Sequence, residues 1–453
     1  MHENQRIAPV GESQSGTASA RSAADHAAST RREPLLERPG TRMPRWREFR
    51  RDISVEFCLN ALVGLIFGIT GPIAVTMAVG LAGGLSDAQL SSWVFGIFLS
   101  AGLATLVMSL IYRRPLGFAW SIPGTVLLGP SLQHLSFGEV VGAFFVAGIL
   151  TLALGMSGLV RKAMAAIPPP IVMAMVAALF LRFGTDIVTS GQATPAIVVP
   201  MIAAFIALTA LPGLARFMPP VLGALIVGFL AVVALGQLDL SSGGPVLAHP
   251  VFTTPEFTWA AQLELVVPLT LTVLVVQNGQ GEAVLRHAGH ATPVNASAVT
   301  SGIMSVVNAC FGAVSACLTG PTNALLTSSG EPKRQYSAAV VYSFLCFIAA
   351  LFSPLVTRFM LGTPEAYILA LGGMAMLGAL RQAFVSAFST RFTFGALVTF
   401  VVTIAEFDPF NIHAAFWGIL FGCIASRFLE PGDYRAAEAA RSRDDAAAKS
   451  SNG

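Results

Sequence analysis

Residues 118–130 read FAWSIPGTVLLGP, and residues 315–330 read SACLTGPTNALLTSSG. Both are apolar enough to enter a bilayer, yet Gly and Pro interrupt each one. Neither holds the roughly 20 continuous helical residues that a crossing takes. The two breaks resemble each other: Ser121-Ile-Pro123-Gly-Thr125-Val-Leu127-Leu128 lies over Thr319-Gly-Pro321-Thr-Asn323-Ala-Leu325-Leu326 as [ST]-x-P-x-[TN]-x-L-L. At nearly the same offset Ile171 falls on Tyr367, and Gly223 falls on Gly418. Three concordant offsets point to a duplication, and an odd number of spans per copy would set the copies in opposite orientations, as an inverted repeat.

The chain around these breaks is a membrane sequence. Of 453 residues 54% are hydrophobic and 11% charged, with mean hydropathy +0.70, whereas a soluble protein carries about 25% charged residues. Punctuation by Pro, Gly and charge divides the apolar part near 53–80, 89–112, 115–134, 138–158, 167–186, 195–213, 218–236, 259–285, 294–312, 315–330, 334–357, 364–381, 392–405 and 411–429. The fold class expected is an all-α polytopic membrane protein of about fourteen segments, seven plus seven, with half-helices as segments 3 and 10. Residues 52–236 form the first repeat, 237–258 a periplasmic connector and 259–429 the second repeat.

Residues 1–51 are polar and rich in Ser, Ala and Arg, which predicts a disordered tail with no signal-peptide core. Residues 430–453 form a second polar tail. With a cytoplasmic N-terminus the inner loops carry Arg113, Arg114, Arg161, Lys162, Arg216, Arg286, Lys333, Arg334, Arg381 and Arg391, and the outer loops only Arg182 and Arg358. That asymmetry satisfies the positive-inside rule and places both tails in the cytoplasm. A net charge of +3 gives no basic face for nucleic acid. Cys58, Cys310, Cys317, Cys346 and Cys423 are scattered singly through apolar runs, so they read as reduced, buried thiols rather than as metal ligands.

Broken helix at membrane depth is tolerated only where protein covers it or it lines a cavity. In each break the Pro opens a short helix, where its missing N–H costs nothing. The free N–H groups behind Pro123 and Pro321 then face the cavity, and two positive helix ends suit an anion. Packing of two kinked helices through small residues is the competing reading. The eighth span brings Gln277 and Asn278 into an apolar helix; these amides either supply donors to the anion or bond to neighbouring backbone. Gly279 and Gly281 read as close packing or a hinge, since no Walker Lys follows. Of the embedded carboxylates, Glu282 follows the amide pair and Glu56 shares a helical face with Asn60, which makes them the proton-coupling candidates. Glu264, Glu406 and Asp408 are expected near an interface in a solvated or structural role. His134 either titrates near neutral pH or caps a helix. Trp120 and Phe118 form an aromatic wall or ordinary packing. The IPPP run at 167–170 is a rigid entry to the fifth span.

Four stretches then match a known pattern in order: YRRPLGFAWSIPGTVLLGPS, IPPPIVMAMVAALFLRFG, FTTPEFTWAAQLELVVPLTLTVLVVQNGQGEAVLRHAGH and AAFWGILFGC. The membrane domain resembles the benzoate:proton symporter family, which is similar in architecture to the nucleobase, ascorbate and sulfate permeases. The resemblance implies a core domain (spans 1–4 and 8–11) moving against a gate domain (5–7 and 12–14), with the site between the third and tenth segments. The nucleobase relatives carry an acidic residue where Gln277 falls, which argues against a uracil-like substrate.

The expectation is a secondary active transporter in a bacterial inner membrane, carrying a carboxylate anion, benzoate or a related aromatic acid, with a proton by alternating access. Trp120, Ser121, Gly124, Thr125, Thr319, Gly320, Thr322 and Asn323 would frame the anion, and Gln277 and Asn278 would orient it. An anion channel, or a carrier of an oxyanion or nucleobase on the same fold, is the alternative, and a homodimer through the gate domains is left open. An enzyme is disfavoured, because the sequence has no metal-ligand cluster, no HExxH and no nucleophile with a base. No cofactor or metal is expected.

Overall fold

The computed structural model describes residues 36–40, 42–160, 167–211, 218–239, 244–405, 407, 409 and 414–439. A short helix α1 (Trp46–Asp52) precedes two long ones, α2 (Val55–Ala82) and α3 (Asp87–Tyr112). The chain then makes a three-residue strand β1 (Phe118–Trp120), the half-helix α4 (Ile122–Ser131) and α5 (Phe137–Ser157). Three helices follow: α6 (Pro169–Ala193), α7 (Pro195–Ala210) and α8 (Pro220–Ala234). The second half opens with α9 (Trp259–His287), then α10 (Val294–Cys310), strand β2 (Ala316–Leu318) and half-helix α11 (Gly320–Leu326). It ends with α12 (Tyr336–Leu351), α13 (Ser353–Leu361), α14 (Glu365–Phe388), α15 (Thr393–Ile404) and α16 (Ala414–Leu429). Among the described residues seven helices are long and apolar enough to cross a bilayer, and five more are apolar but shorter. The protein is a mostly helical, multi-pass membrane protein.

Local chemistry sets the ends of these helices. Ser86 and Ser136 each form a capping box, with Gln89 and Glu139 reaching back to the cap. Pro169, Pro195 and Pro220 occupy first-turn positions, where no N–H is needed. The IPPP run is thus the entry to α6. The span expected over 334–357 is divided, because α12 stops at Leu351 and α13 restarts with Pro354 in its first turn.

Helix α9 is irregular in two places, with π-helical turns at Gln262–Val266 and Thr272–Asn278. Pro268 has no N–H to give the Glu264 carbonyl, which accounts for the first widening. Helices α6, α7, α8, α14, α15 and α16 pack mainly on one another, as do α2, α3, α5, α9, α10 and α12 together with the two breaks.

The two breaks meet at the centre. Strands β1 and β2 pair antiparallel, with Phe118 opposite Leu318, Ala119 opposite Cys317 and Trp120 opposite Ala316. The half-helices α4 and α11 therefore leave the pair in opposite directions. Backbone bonds extend the pairing at both ends: Ser121 N–H donates to Ser315 O at 2.9 Å, and Thr319 N–H to Gly117 O at 3.3 Å.

Both polar tails are partly built into the fold, against the expectation of a disordered leader through residue 51. The Glu37 carboxylate accepts from Asn295 N (2.9 Å) and Ala296 N (3.0 Å), capping α10, and α1 presents Asp52 to Tyr336 and Arg113. Residues 431–439 are helical, and Glu430 accepts from Phe394 N and Gly395 N at the start of α15. A carboxylate placed at a helix N-terminus satisfies orphan donors and opposes the dipole favourably. The cysteine expectation also needs correcting: Cys317 and Cys346 are buried, whereas Cys58, Cys310 and Cys423 are half-buried. Residues 1–35, Arg161, Lys162, Arg216, Glu406, Asp408 and 440–453 lie outside the described residues.

Candidate functional site

A cavity of about 880 Å³ lies between the two packed groups of helices, within the size range of small-molecule sites. Phe67, Trp120 and Tyr342 wall it on the side of the breaks, and Met173, Phe180 and Met376 from α6 and α14 wall it opposite. Polar groups also line it: Gln277 from the second π turn of α9, and Thr319, Gly320 and Thr322 from the start of α11. The cavity runs from Trp120 past Glu282 to Arg286, Gln382 and Ser386.

Three polar atoms in this lining have no partner: Trp120 Nε1, Gln277 Oε1 and Thr319 Oγ1. Buried polar atoms are normally paired, and an orphan costs about 1–3 kcal/mol. Trp120 is held by Phe98, edge to face at 5.4 Å, so its indole N–H is fixed in place. The Gln277 amide offers an acceptor on one side and donors on the other. No side chain caps α11. The cavity therefore presents largely apolar and aromatic walls with a few unpaired polar atoms among them.

The ten residues expected to bind substrate divide sharply. Trp120, Gln277, Thr319, Gly320 and Thr322 line the cavity. The other five are structural. Ser121 caps α4 by accepting from Gly124 N at 3.1 Å, and donates to Thr272 Oγ1 on α9 at 3.3 Å. Gly124 contributes that N–H, and Thr125 Oγ1 returns a bond to Ser121 O. Asn278 is not in the cavity lining; its Oδ1 accepts from Leu318 N at 2.8 Å and from Ser301 Oγ, while its Nδ2 is buried without a partner. Asn323 clamps one break to the other: its Nδ2 donates to Gly117 O at 2.9 Å, and its Oδ1 accepts from Gly117 N at 2.8 Å.

Gly281 is a close-packing glycine, since a Cβ there would stand 2.6 Å from Leu318 O. Of the two proton-coupling candidates, Glu282 lines the cavity, whereas Glu56 is exposed at the start of α2. Sequence reasoning passed over Tyr342, Phe180 and Arg286. Only Arg286 carried a signal, standing four residues after Glu282 on the same helix face.

Glu264 is not solvated, against one half of the expectation made for it. Its side chain is fully buried in the first π turn of α9, hydrogen-bonded by Ser131 Oγ and 3.0 Å from His134 Nε2. His134 is thereby a carboxylate partner rather than a helix cap. Among the described residues no group of three or more His, Cys, Asp or Glu is placed to hold a metal ion.

Broken helices that face a cavity among apolar helices, in a chain that matches a membrane-transport family, define a membrane transporter and not an enzyme. The chain belongs to the benzoate membrane transport protein family, whose pattern matches residues 51–428. It is 30% identical over 370 residues to the inner membrane protein YdcO of Escherichia coli, covering 80% of this chain and 93% of that one. It is 25% identical over 382 residues to a benzoate membrane transport protein of Acinetobacter baylyi, covering 83% of this chain and 95% of that one. Among solved structures the fold is similar to that of SLC26A9 (TM-score 0.59, 12% identity, 94% of this chain and 72% of that one). It is also similar to the transmembrane domain of the cyanobacterial bicarbonate transporter BicA (TM-score 0.55, 15% identity, 84% and 99%).

Proposed function

We propose that this protein carries benzoate or a related aromatic carboxylate across a bacterial inner membrane together with a proton, by alternating access. The observation that carries this reading is the set of unpaired polar atoms, Trp120 Nε1, Thr319 Oγ1 and Gln277 Oε1, on residues that line an aromatic-walled cavity. A carboxylate would accept from the indole N–H and the Thr319 hydroxyl, and from the Gln277 amide once its donors turn inward. The ring would lie among Phe67, Phe180 and Tyr342, where burying each apolar Å² contributes about 25 cal/mol. The name of the Acinetobacter relative supports benzoate. The aromatic walls favour an aromatic acid over an inorganic oxyanion, a nucleobase or the open pore of an anion channel.

In this reading the seven long helices, five shorter ones and two half-helices are fourteen segments of an inverted repeat, with both tails cytoplasmic. The group containing the breaks is the core, the group built on α6 and α14 is the gate, and the cavity between them is open toward the cytoplasmic side. The test is uptake of labelled benzoate by vesicles containing the purified protein, with the outside made acidic. Accumulation above protein-free vesicles is expected, and no uptake of any member of a carboxylate panel would defeat the proposal.

A further inference from the structure

We propose that Glu264 and His134 form the site that binds the coupled proton, separate from the substrate cavity and joined to it by the half-helix α4. This rests on the proton-coupled reading above.

A carboxylate inside a membrane helix is costly to keep and is a functional site by default. Glu264 has no solvent access, and its hydrogen-bond partners are Ser131 and His134. His134 is about one-third exposed, so it connects the buried carboxylate to water. The pair lies near Ala82, to which Gln133 bonds, and α2 runs from there to the opposite face, where Asp52 meets Arg113. The substrate cavity reaches toward that opposite face, through Arg286 and Ser386. Water therefore reaches the proton site and the substrate site from different sides.

Half-helix α4 links the two sites. At its N-terminus Ser121 Oγ bonds to Thr272 in the second π turn of α9, beside Trp120 and Gln277. At its C-terminus Ser131 Oγ bonds to Glu264 in the first π turn. The ten-residue helix is tied to α9 at both ends, so a change in charge at Glu264 alters a bond that positions the cavity wall. Proton transfer is simple in balance. His134 takes a proton from water on Nδ1 and passes the one on Nε2 to Glu264 Oε2. That leaves a neutral imidazole and a neutral carboxylic acid, which still pairs with Ser131.

Other charged groups face this site. Glu139 lies in the first turn of α5, and Glu256, in the stretch that leads into α9, accepts from Ser136 Oγ. Asp87 opens α3 beyond the Ala82 turn, and α6, which packs on α4, carries Arg182 and Asp186. Helix α16, packed on the first π turn, carries Cys423 and, nearer its end, Arg427. None of these bonds directly to Glu264, whereas His134 does.

The test is Glu264→Gln in the full-length protein, reconstituted in vesicles loaded with a pH-sensitive dye. The amide keeps a partner for Ser131 and His134 but cannot release a proton. The expected result is benzoate binding within about twofold of the parent protein, with loss of both acid-driven accumulation and benzoate-dependent proton entry. If the parent protein moves benzoate without protons, or moves no benzoate, the functional reading fails and this inference with it. If the parent couples and the variant still couples, only the inference is overturned. A folded variant that no longer binds benzoate would make Glu264 a structural clamp and would also overturn it. Should the variant not fold, His134→Gln decides: a displaced pH profile of uptake is expected, and an unchanged profile overturns the assignment.

Discussion

The half-helices α4 and α11 carry the same pattern and are held in different ways. Helix α4 is ten residues long, capped by Ser121 and bonded to α9 at both ends. Helix α11 is seven residues long, has no side-chain cap, and leaves Thr319 Oγ1 unpaired at the cavity. What fixes α11 is Asn323, one turn in, which grips the Gly117 peptide from both sides. Matching residues thus differ in their bonding: Ser121 Oγ caps its helix, whereas Thr319 Oγ1 has no partner. A shared sequence pattern does not carry a shared set of contacts.

Breaking the Asn323 clamp should have the largest effect. Asn323→Ala strips the buried Gly117 N–H and C=O of their side-chain partner, a cost of about 3 kcal/mol or more. The expected outcome is a large fall in thermal midpoint and in monodisperse yield, checked by fluorescence-detected size-exclusion with a temperature ramp.

Thr319→Val should leave the midpoint nearly unchanged and weaken benzoate binding about tenfold, since a lost ligand hydrogen bond is worth about 1.5 kcal/mol when the acceptor is charged. Titration calorimetry on the purified protein checks it. The counterpart, Ser121→Ala, should do the reverse, costing about 1 kcal/mol of stability through the lost cap while changing affinity less than Thr319→Val. If both variants lose affinity and neither loses stability, the contrast between the half-helices is wrong.

The smallest effect concerns α1. Burial opposes ionisation of Asp52, but hydrogen bonds from Tyr336 and Arg113 and the charges of Arg51 and Arg113 outweigh it and hold the carboxyl below its ordinary value. A depressed carboxyl stabilises the folded state above its unfolded value, near pH 4, and that contribution is lost as pH falls through the folded value. Asp52→Asn should therefore flatten the acid limb of the stability profile below pH 4, by under about 1 kcal/mol.

Much of this was legible in the chain. Pro123 and Pro321 mark the breaks because a missing N–H and a fixed φ act locally, whatever surrounds them. Gln277 stood out as an amide in an apolar run, and it does line the cavity. Asn278, its neighbour, carries the same chemistry and was read the same way, but the Leu318 N–H takes it. Nothing in the sequence says which of two adjacent amides meets a strand and which meets a void. The burial of Glu264 was not legible for a related reason. A carboxylate near the predicted start of a span is ordinarily solvated, and only the approach of Ser131 and His134, distant in sequence, makes its burial tolerable.

By itself the sequence determined that the protein lives in a bilayer, where its helices are broken and which polar side chains interrupt its apolar runs. Those features follow from hydrophobicity and from backbone chemistry, which act within a turn or two of the residue concerned. The tertiary structure alone decided which of those side chains are satisfied by the protein and which are left without a partner. A hydrogen bond needs both its groups within about 3 Å, and residues far apart in the chain reach that distance only when the whole bundle has packed.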